Sequence, residues 1–188
     1  MFADKVHWTI NDLKNLPDDD GWTRYEIING GLFVSRLPHA FHQMAAGELL
    51  CCLAKWTQEK KSDSTVVLSP GLLLSPADSV IPDLVWIKNE RLEAGLNGDG
   101  HLTVAPELIA EVLSAGGVNE QRDRDSKLKL YSRYGVREYW IVDWRQKSLE
   151  IYRRDQAQLK LVATLLDSDP ITSPLLPEFA VPLDQIFK

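Results

Sequence analysis

Two carboxylates stand inside otherwise apolar runs of this chain: Asp83 in residues 80–87 (VIPDLVWI) and Glu111 in residues 108–113 (LIAEVL). A charge in a buried strand costs several kcal/mol unless it is paired, protonated or bound to a cation. Two such charges close in sequence therefore point to a shared cation. Lys127 follows on a segment whose helical spacing aims it back at the same sheet. Two acids and a lysine in this arrangement suggest phosphodiester chemistry.

The 188 residues suit one domain with a substantial core, and no repeat or low-complexity tract divides them. Within one domain spanning 1–188, the pattern predicts an N-terminal helix and hairpin (1–36), a core (37–145) and a C-terminal hairpin and tail (146–188). The start of the chain lacks a signal-peptide pattern, and no apolar run reaches the roughly 18 residues of a membrane span. Together these predict a cytoplasmic protein with no membrane contact. Adjacent Cys51 and Cys52 read as small hydrophobes in a reducing compartment, since neighbours on a helix point about 100° apart and suit neither a disulfide nor a zinc site. The formal net charge of −6 argues against a protein that coats nucleic acid through a general positive field. A local basic cluster stands out at Arg122, Arg124, Lys127, Lys129, Arg133 and Arg137, although a solvated helix face would look the same.

Thr9 and Asp12 have capping-box spacing and predict a short helix to about Leu16, ended by the acidic turn at 17–21. Residues 25–28 and 32–35 flank Asn29-Gly30-Gly31, a strong hairpin signal. His42, Ala45, Leu49, Leu53 and Trp56 recur at helical spacing over 40–60. Strands are predicted at 65–68, 71–75, 80–87, 107–113 and 138–143, with a Gly-rich loop at 91–101 and a loop at 114–122. A helix from about Asp123 to Tyr134 ends at Gly135, which suits a right-handed crossover between parallel strands. Residues 148–153 and 159–165 read as a later hairpin, and 175–183 as a tail packed under the sheet. The class is α/β with a mixed sheet.

Several of these stretches, taken in order, resemble one known family: 25–30 (YEIING), His42, Pro82-Asp83, 111–114 (EVLS), Asp123 with Lys127 and Tyr131 at four-residue steps, and 135–143 (GVREYWIVD). The resemblance is to the Uma-two family of restriction-endonuclease-like proteins, a branch of the PD-(D/E)XK nuclease superfamily, and runs from about Tyr25 to Asp143. It implies a restriction-endonuclease-like core, a central mixed β-sheet flanked by helices, and a divalent metal, Mg²⁺ or Mn²⁺, at Asp83 and Glu111 with the backbone carbonyl of Val112. It also implies DNA as substrate and a homodimer. The superfamily's usual lysine, two residues beyond the second acid, is replaced here by Leu113, and the family supplies Lys127 from the next helix instead. Asn29 stands where an acid is common, and 114–117 (SAGG) departs from the usual Ser-Pro-Ser-Thr.

These implications make Asp83, Glu111 and Lys127 the candidate catalytic residues of a metal-dependent endonuclease, with Glu26, His42 and Asp123 as outer groups. The residues themselves leave other readings open. Either acid could pair with an arginine or cap a turn, Asp123 and Lys127 could form an ordinary i,i+4 ion pair, and His42 could be a satisfied core histidine. Tyr139, Trp140 and Trp144 read as core and rim aromatics, with base stacking as the alternative. A catalytically silent nuclease-like domain that binds DNA or a protein partner is the second functional reading.

Overall fold

A computed structural model describes residues 6–17, 21–114 and 116–187. Residues 18–20 of the acidic turn, and Ala115 in the loop after Glu111, lie outside them. Helix α1 covers Ile10–Leu13, shorter than the spacing predicts, with the Asp12 carboxylate accepting from the Thr9 N–H at 2.7 Å. Strands β1 (Thr23–Ile28) and β2 (Gly31–Arg36) form the expected hairpin. Its two loop residues, Asn29 and Gly30, take φ of +51° and +73°, as a two-residue hairpin turn of this hand requires.

Helix α2 (Ala40–Glu59) buries His42, Ala45, Ala46, Leu49, Leu53 and Trp56, the stripe read from the spacing. Strand β3 (Ser64–Leu68) follows. The chain then makes β4 (Leu72–Ser75) and β5 (Asp78–Val80) in a second sheet before returning as β6 (Leu84–Lys88) beside β3. The predicted single strand over 80–87 is thus two strands of different sheets, broken at 81–83. Pro82 has no N–H for a ladder, and the Ile81 N–H is drawn off to the Glu26 carboxylate at 2.9 Å.

Residues 91–101, read as a loop, begin with helix α3 (Asn89–Gly95). The good helix formers of 90–94 (ERLEA) outweigh the glycines that follow. Strand β7 (Leu108–Val112) runs parallel to β8 (Glu138–Asp143), as the crossover predicts. The crossover helix starts earlier than Asp123: α4 (Gly117–Gln121) leads into a π-helical turn (Arg122–Lys127) and α5 (Leu128–Arg133). Gly135 at φ +85° closes it, with the Val136 N–H reaching the Tyr131 carbonyl. Strands β9 (Ser148–Asp155) and β10 (Gln158–Leu166) form the later hairpin. The expected tail is instead a second hairpin, β11 (Pro170–Ser173) with β12 (Leu176–Pro182), followed by a 3-10 turn over Leu183–Ile186.

The sheets have the orders β2-β1-β5-β4, β10-β9-β8-β7-β6-β3 and β11-β12. Only the β7–β8 pairing in the six-stranded sheet is parallel, so the central sheet is mixed. Side chains alternate across it. Trp86, Leu108, Ala110, Trp140 and Val142 pack toward α2 and the β11–β12 hairpin, while Val85, Ile87, Ile109, Tyr139 and Ile141 pack toward α5 and the smaller sheet. Glu111 alternates with Ile109 and therefore faces the second of these layers.

Two further readings change. The basic cluster is not one face: Arg122 and Lys127 are buried, Arg124 pairs with Glu150, and Lys129, Arg133 and Arg137 are exposed. A helix that covers a sheet turns some of its cations inward, which a count of basic residues cannot register. Cys51 is exposed and Cys52 half-buried, both as free thiols, so Cys51 is not a core hydrophobe. No helix among the described residues is long and apolar enough to cross a membrane.

Candidate functional site

Asp83 is the last residue before β6, and its neighbour Leu84 sits opposite Ala110 of β7. That register sets Asp83 beside Glu111, whose Oε2 lies 3.4 Å from the Asp83 N–H. Asp83 Oδ2 accepts from the Val112 N–H at 2.8 Å and lies 3.2 Å from His42 Nε2. Among the described residues, its Oδ1 has only the guanidinium of Arg24, at 4.0 Å. Glu111 Oε1 accepts from Lys127 Nζ and from the Tyr131 hydroxyl, both at 2.8 Å.

The π turn explains how one helix presents several groups to this point. Its wider winding brings Arg122, Asp123 and Lys127 inward together, and all three are buried. Lys127 Nζ lies 3.0 Å from Glu26 and 3.6 Å from Asp123, besides its contact with Glu111. Arg122 bridges Glu26 at 3.2 Å and Asp123 at 3.1 Å. Glu26 comes from β1, so the smaller sheet supplies one wall and the larger sheet the other.

Every predicted site residue is therefore in one place. Glu26, His42, Asp83, Glu111, Val112, Asp123 and Lys127 all line a cleft of about 30 Å³, with Arg24 and Arg36 at its rim. Three contributors stand outside the site residues expected from the sequence. Arg122 was one of a surface cluster, although its step of five to Lys127 matches a π turn. Tyr131 is four residues beyond Lys127 and shares its face, and Arg24 alternates with Glu26 along β1, a period that puts both on one side.

Four buried carboxylates here meet two buried permanent cations, and the imbalance shows in their protonation. Burial pushes Glu111 up, Lys127 pulls it back, and Asp83, Asp123 and Glu26 raise it again, to about 8. Asp123 is raised as well, by burial first. Asp83 goes the other way: burial is outweighed by the His42 hydrogen bond and charge, the Val112 N–H and Lys127, and its carboxyl is held below the usual range. Lys127 stays protonated because three acids overcome its burial.

Among the described residues, no three His, Cys, Asp or Glu side chains are grouped to hold a metal ion by themselves. Mg²⁺ does not need three: it commonly takes one or two carboxylates, with water and phosphate oxygens completing an octahedron. The donor set fits that mode. Asp83 Oδ1 and Glu111 Oε2 make only long contacts, at 4.0 and 3.4 Å, the donors are all oxygen, and the surplus is negative.

The family model for Uma2, described as "Putative restriction endonuclease", matches residues 10–184. No curated protein sequence matches significantly. Among solved structures, the chain is similar to a crystal structure described as a putative nuclease belonging to DUF820 from Anabaena variabilis: TM-score 0.73, 16% identity, 95% of this chain and 97% of that one covered. At that identity the likeness shows a shared fold. The type IIG restriction endonuclease BpuSI aligns over 85% of this chain and 17% of its own, at 15% identity and TM-score 0.39, a superposition too loose to support an argument. With a model match over nearly its whole length, the chain belongs to the Uma2 family of restriction-endonuclease-like proteins.

Proposed function

We propose that this protein is a divalent-metal-dependent endonuclease that hydrolyses DNA phosphodiester bonds, with Mg²⁺ or Mn²⁺ held at Asp83 and Glu111. One observation supports this above the rest: two acids, Asp83 at the entry to β6 and Glu111 in the adjoining β7, meet in one cleft with a lightly engaged oxygen each, and the Lys127 ammonium lies 2.8 Å from Glu111. When bound, a divalent cation would neutralise phosphate charge and make a water more acidic. The carbonyl of Val112 is proposed as a further ligand.

The chain's own residues then have distinct parts. His42 and the Val112 N–H fix Asp83 Oδ2, leaving Oδ1 toward the cleft. The Tyr131 hydroxyl and Lys127 do the same for Glu111 Oε1. Lys127 keeps its proton, so its part is to stabilise charge developing on the phosphate rather than to act as general base. Glu26, Asp123 and Arg122 hold that ammonium in place. Arg24 at the rim receives the incoming phosphodiester.

The test is cleavage of plasmid and oligonucleotide DNA by purified protein with Mg²⁺ or Mn²⁺, against the same reaction in chelator. Asp83→Ala and Glu111→Ala are each expected to lower the rate about a hundredfold or more. Cleavage that both variants retain overturns the assignment. A second reading, a silent nuclease-like domain that binds DNA or a protein, is favoured by the contacts Lys127 already makes to three carboxylates. It predicts DNA binding without turnover in either metal.

A further inference from the structure

Beside the cleft, three rings form a cluster that the proposed chemistry does not use; Trp144 anchors it on the core, while His39 and Phe41 are exposed. His39 and Trp144 stack with centroids 5.0 Å apart and planes 10° from parallel, and Phe41 closes the group at 5.4 Å from His39 and 5.7 Å from Trp144. Phe41 is 53% exposed and neighbouring Met44 46%. The cluster borders a groove of about 490 Å³ that also includes Arg145 and Lys147.

Its position is tied to the acids from two directions. Phe41 is the residue before His42, whose ring touches Asp83. Trp144 donates from Nε1 to the carbonyl of Leu113 at 3.1 Å, two residues beyond Glu111. Cations lie on either side. Arg36, three residues before His39, stands at the cleft rim, and Lys147 lines the groove. Among the described residues, neither side chain makes a hydrogen bond or ion pair. Arg145, by contrast, is engaged by Glu120 and Asp143.

A partly exposed aromatic cluster, with Phe41 at its open side and free cations flanking it, matches an unpaired nucleotide, which offers a base to stack and a phosphate to neutralise. A duplex hides its base faces, so it offers these rings nothing to stack on. We propose that the Phe41–His39–Trp144 cluster is a base-stacking platform that receives a single-stranded segment of nucleic acid next to the Asp83–Glu111 cleft. The strand's phosphates lie against Arg36 and Lys147. This rests on the nuclease reading and narrows its substrate to strands with unpaired bases.

The experiment is a fluorescence-anisotropy titration of labelled single-stranded and duplex oligonucleotides of equal length, in chelator so that cleavage plays no part. The single strand is expected to bind more tightly. Phe41→Ala is expected to weaken it about five- to hundredfold, Phe41→Leu to weaken it similarly, and Phe41→Trp to retain it. Phe41 is exposed, so none of these changes threatens the fold, and circular dichroism checks that.

Equal binding of both forms, or full single-strand affinity in Phe41→Ala and Phe41→Leu, overturns the platform. So does loss of self-association in Phe41→Ala with nucleic-acid binding unchanged, which assigns the surface to a second copy. The two hypotheses fail separately. Cleavage that survives Asp83→Ala and Glu111→Ala removes the nuclease and leaves the platform as a binding site, whereas unaltered binding by the Phe41 variants removes the platform alone.

Discussion

Lys127 carries more of this molecule than the proposed catalytic part alone requires. It is 1% exposed, and three carboxylates surround its ammonium. Removing one partner of a buried ionic network leaves the others uncompensated, at a cost of about 3–5 kcal/mol. Lys127→Met is therefore expected to lose about that much stability by urea denaturation, apart from any effect on cleavage, and a loss under about 1 kcal/mol would mean that protonation of Glu111 and Asp123 absorbs the change. Some of this was legible beforehand. An acid in an apolar run has few innocent explanations, so Asp83 and Glu111 stood out from their neighbours alone. Arg122 did not, because burial of a helical cation depends on which way the helix turns toward its sheet, and its five-residue step to Lys127 shows inward alignment only once the π turn is known.

Helix α5 is latched to the smaller sheet by one acid, Asp78 of β5. Its carboxylate accepts from the Asn29 N–H at 2.8 Å, the Ser75 and Tyr134 hydroxyls at 2.8 Å each, and the Arg133 guanidinium at 2.7 Å. Burial pushes Asp78 up, but these partners outweigh it and hold the group below its ordinary 3.8. A carboxyl depressed in the folded state stabilises fully above its unfolded value and loses that contribution as pH falls through the folded value. The stability gap between the wild type and Asp78→Asn, followed by urea denaturation from about pH 7 downward, should stay level to about pH 5 and narrow below about 3.8; a gap that never narrows excludes the latch as an ionic one. The elements were readable where period and punctuation agreed, as in α2 and the Asn29-Gly30 hairpin. They were misread where one apolar run served two sheets, at 80–87, and where a π turn broke the α-helical count, at 122–127.

As a whole the chain is an acidic α/β molecule whose free cations near the cleft are few, and that limits how it can hold a polyanion. With Arg24, Arg36 and Lys147 as phosphate contacts, log affinity for single-stranded DNA against log salt should fall with a slope of about −2, taking about 0.7 per contact. Titrations between about 50 and 200 mM salt measure it, and a slope of −5 or steeper would demand a basic surface elsewhere. The α/β class and the parallel β7–β8 crossover followed from sequence periodicity, but the division into two main sheets did not, because strand partners are chosen across distances that no window spans. That division gives residues 81–83 a particular standing. They form the seam where the backbone leaves one sheet and enters the other, with Glu26 gripping the seam from the first and Asp83 belonging to it. Asp83 and Glu111 are both tied to the larger sheet and Glu26 to the smaller, so a shift of the two layers would change the reach of Glu26 to Lys127 while leaving the Asp83–Glu111 pair intact.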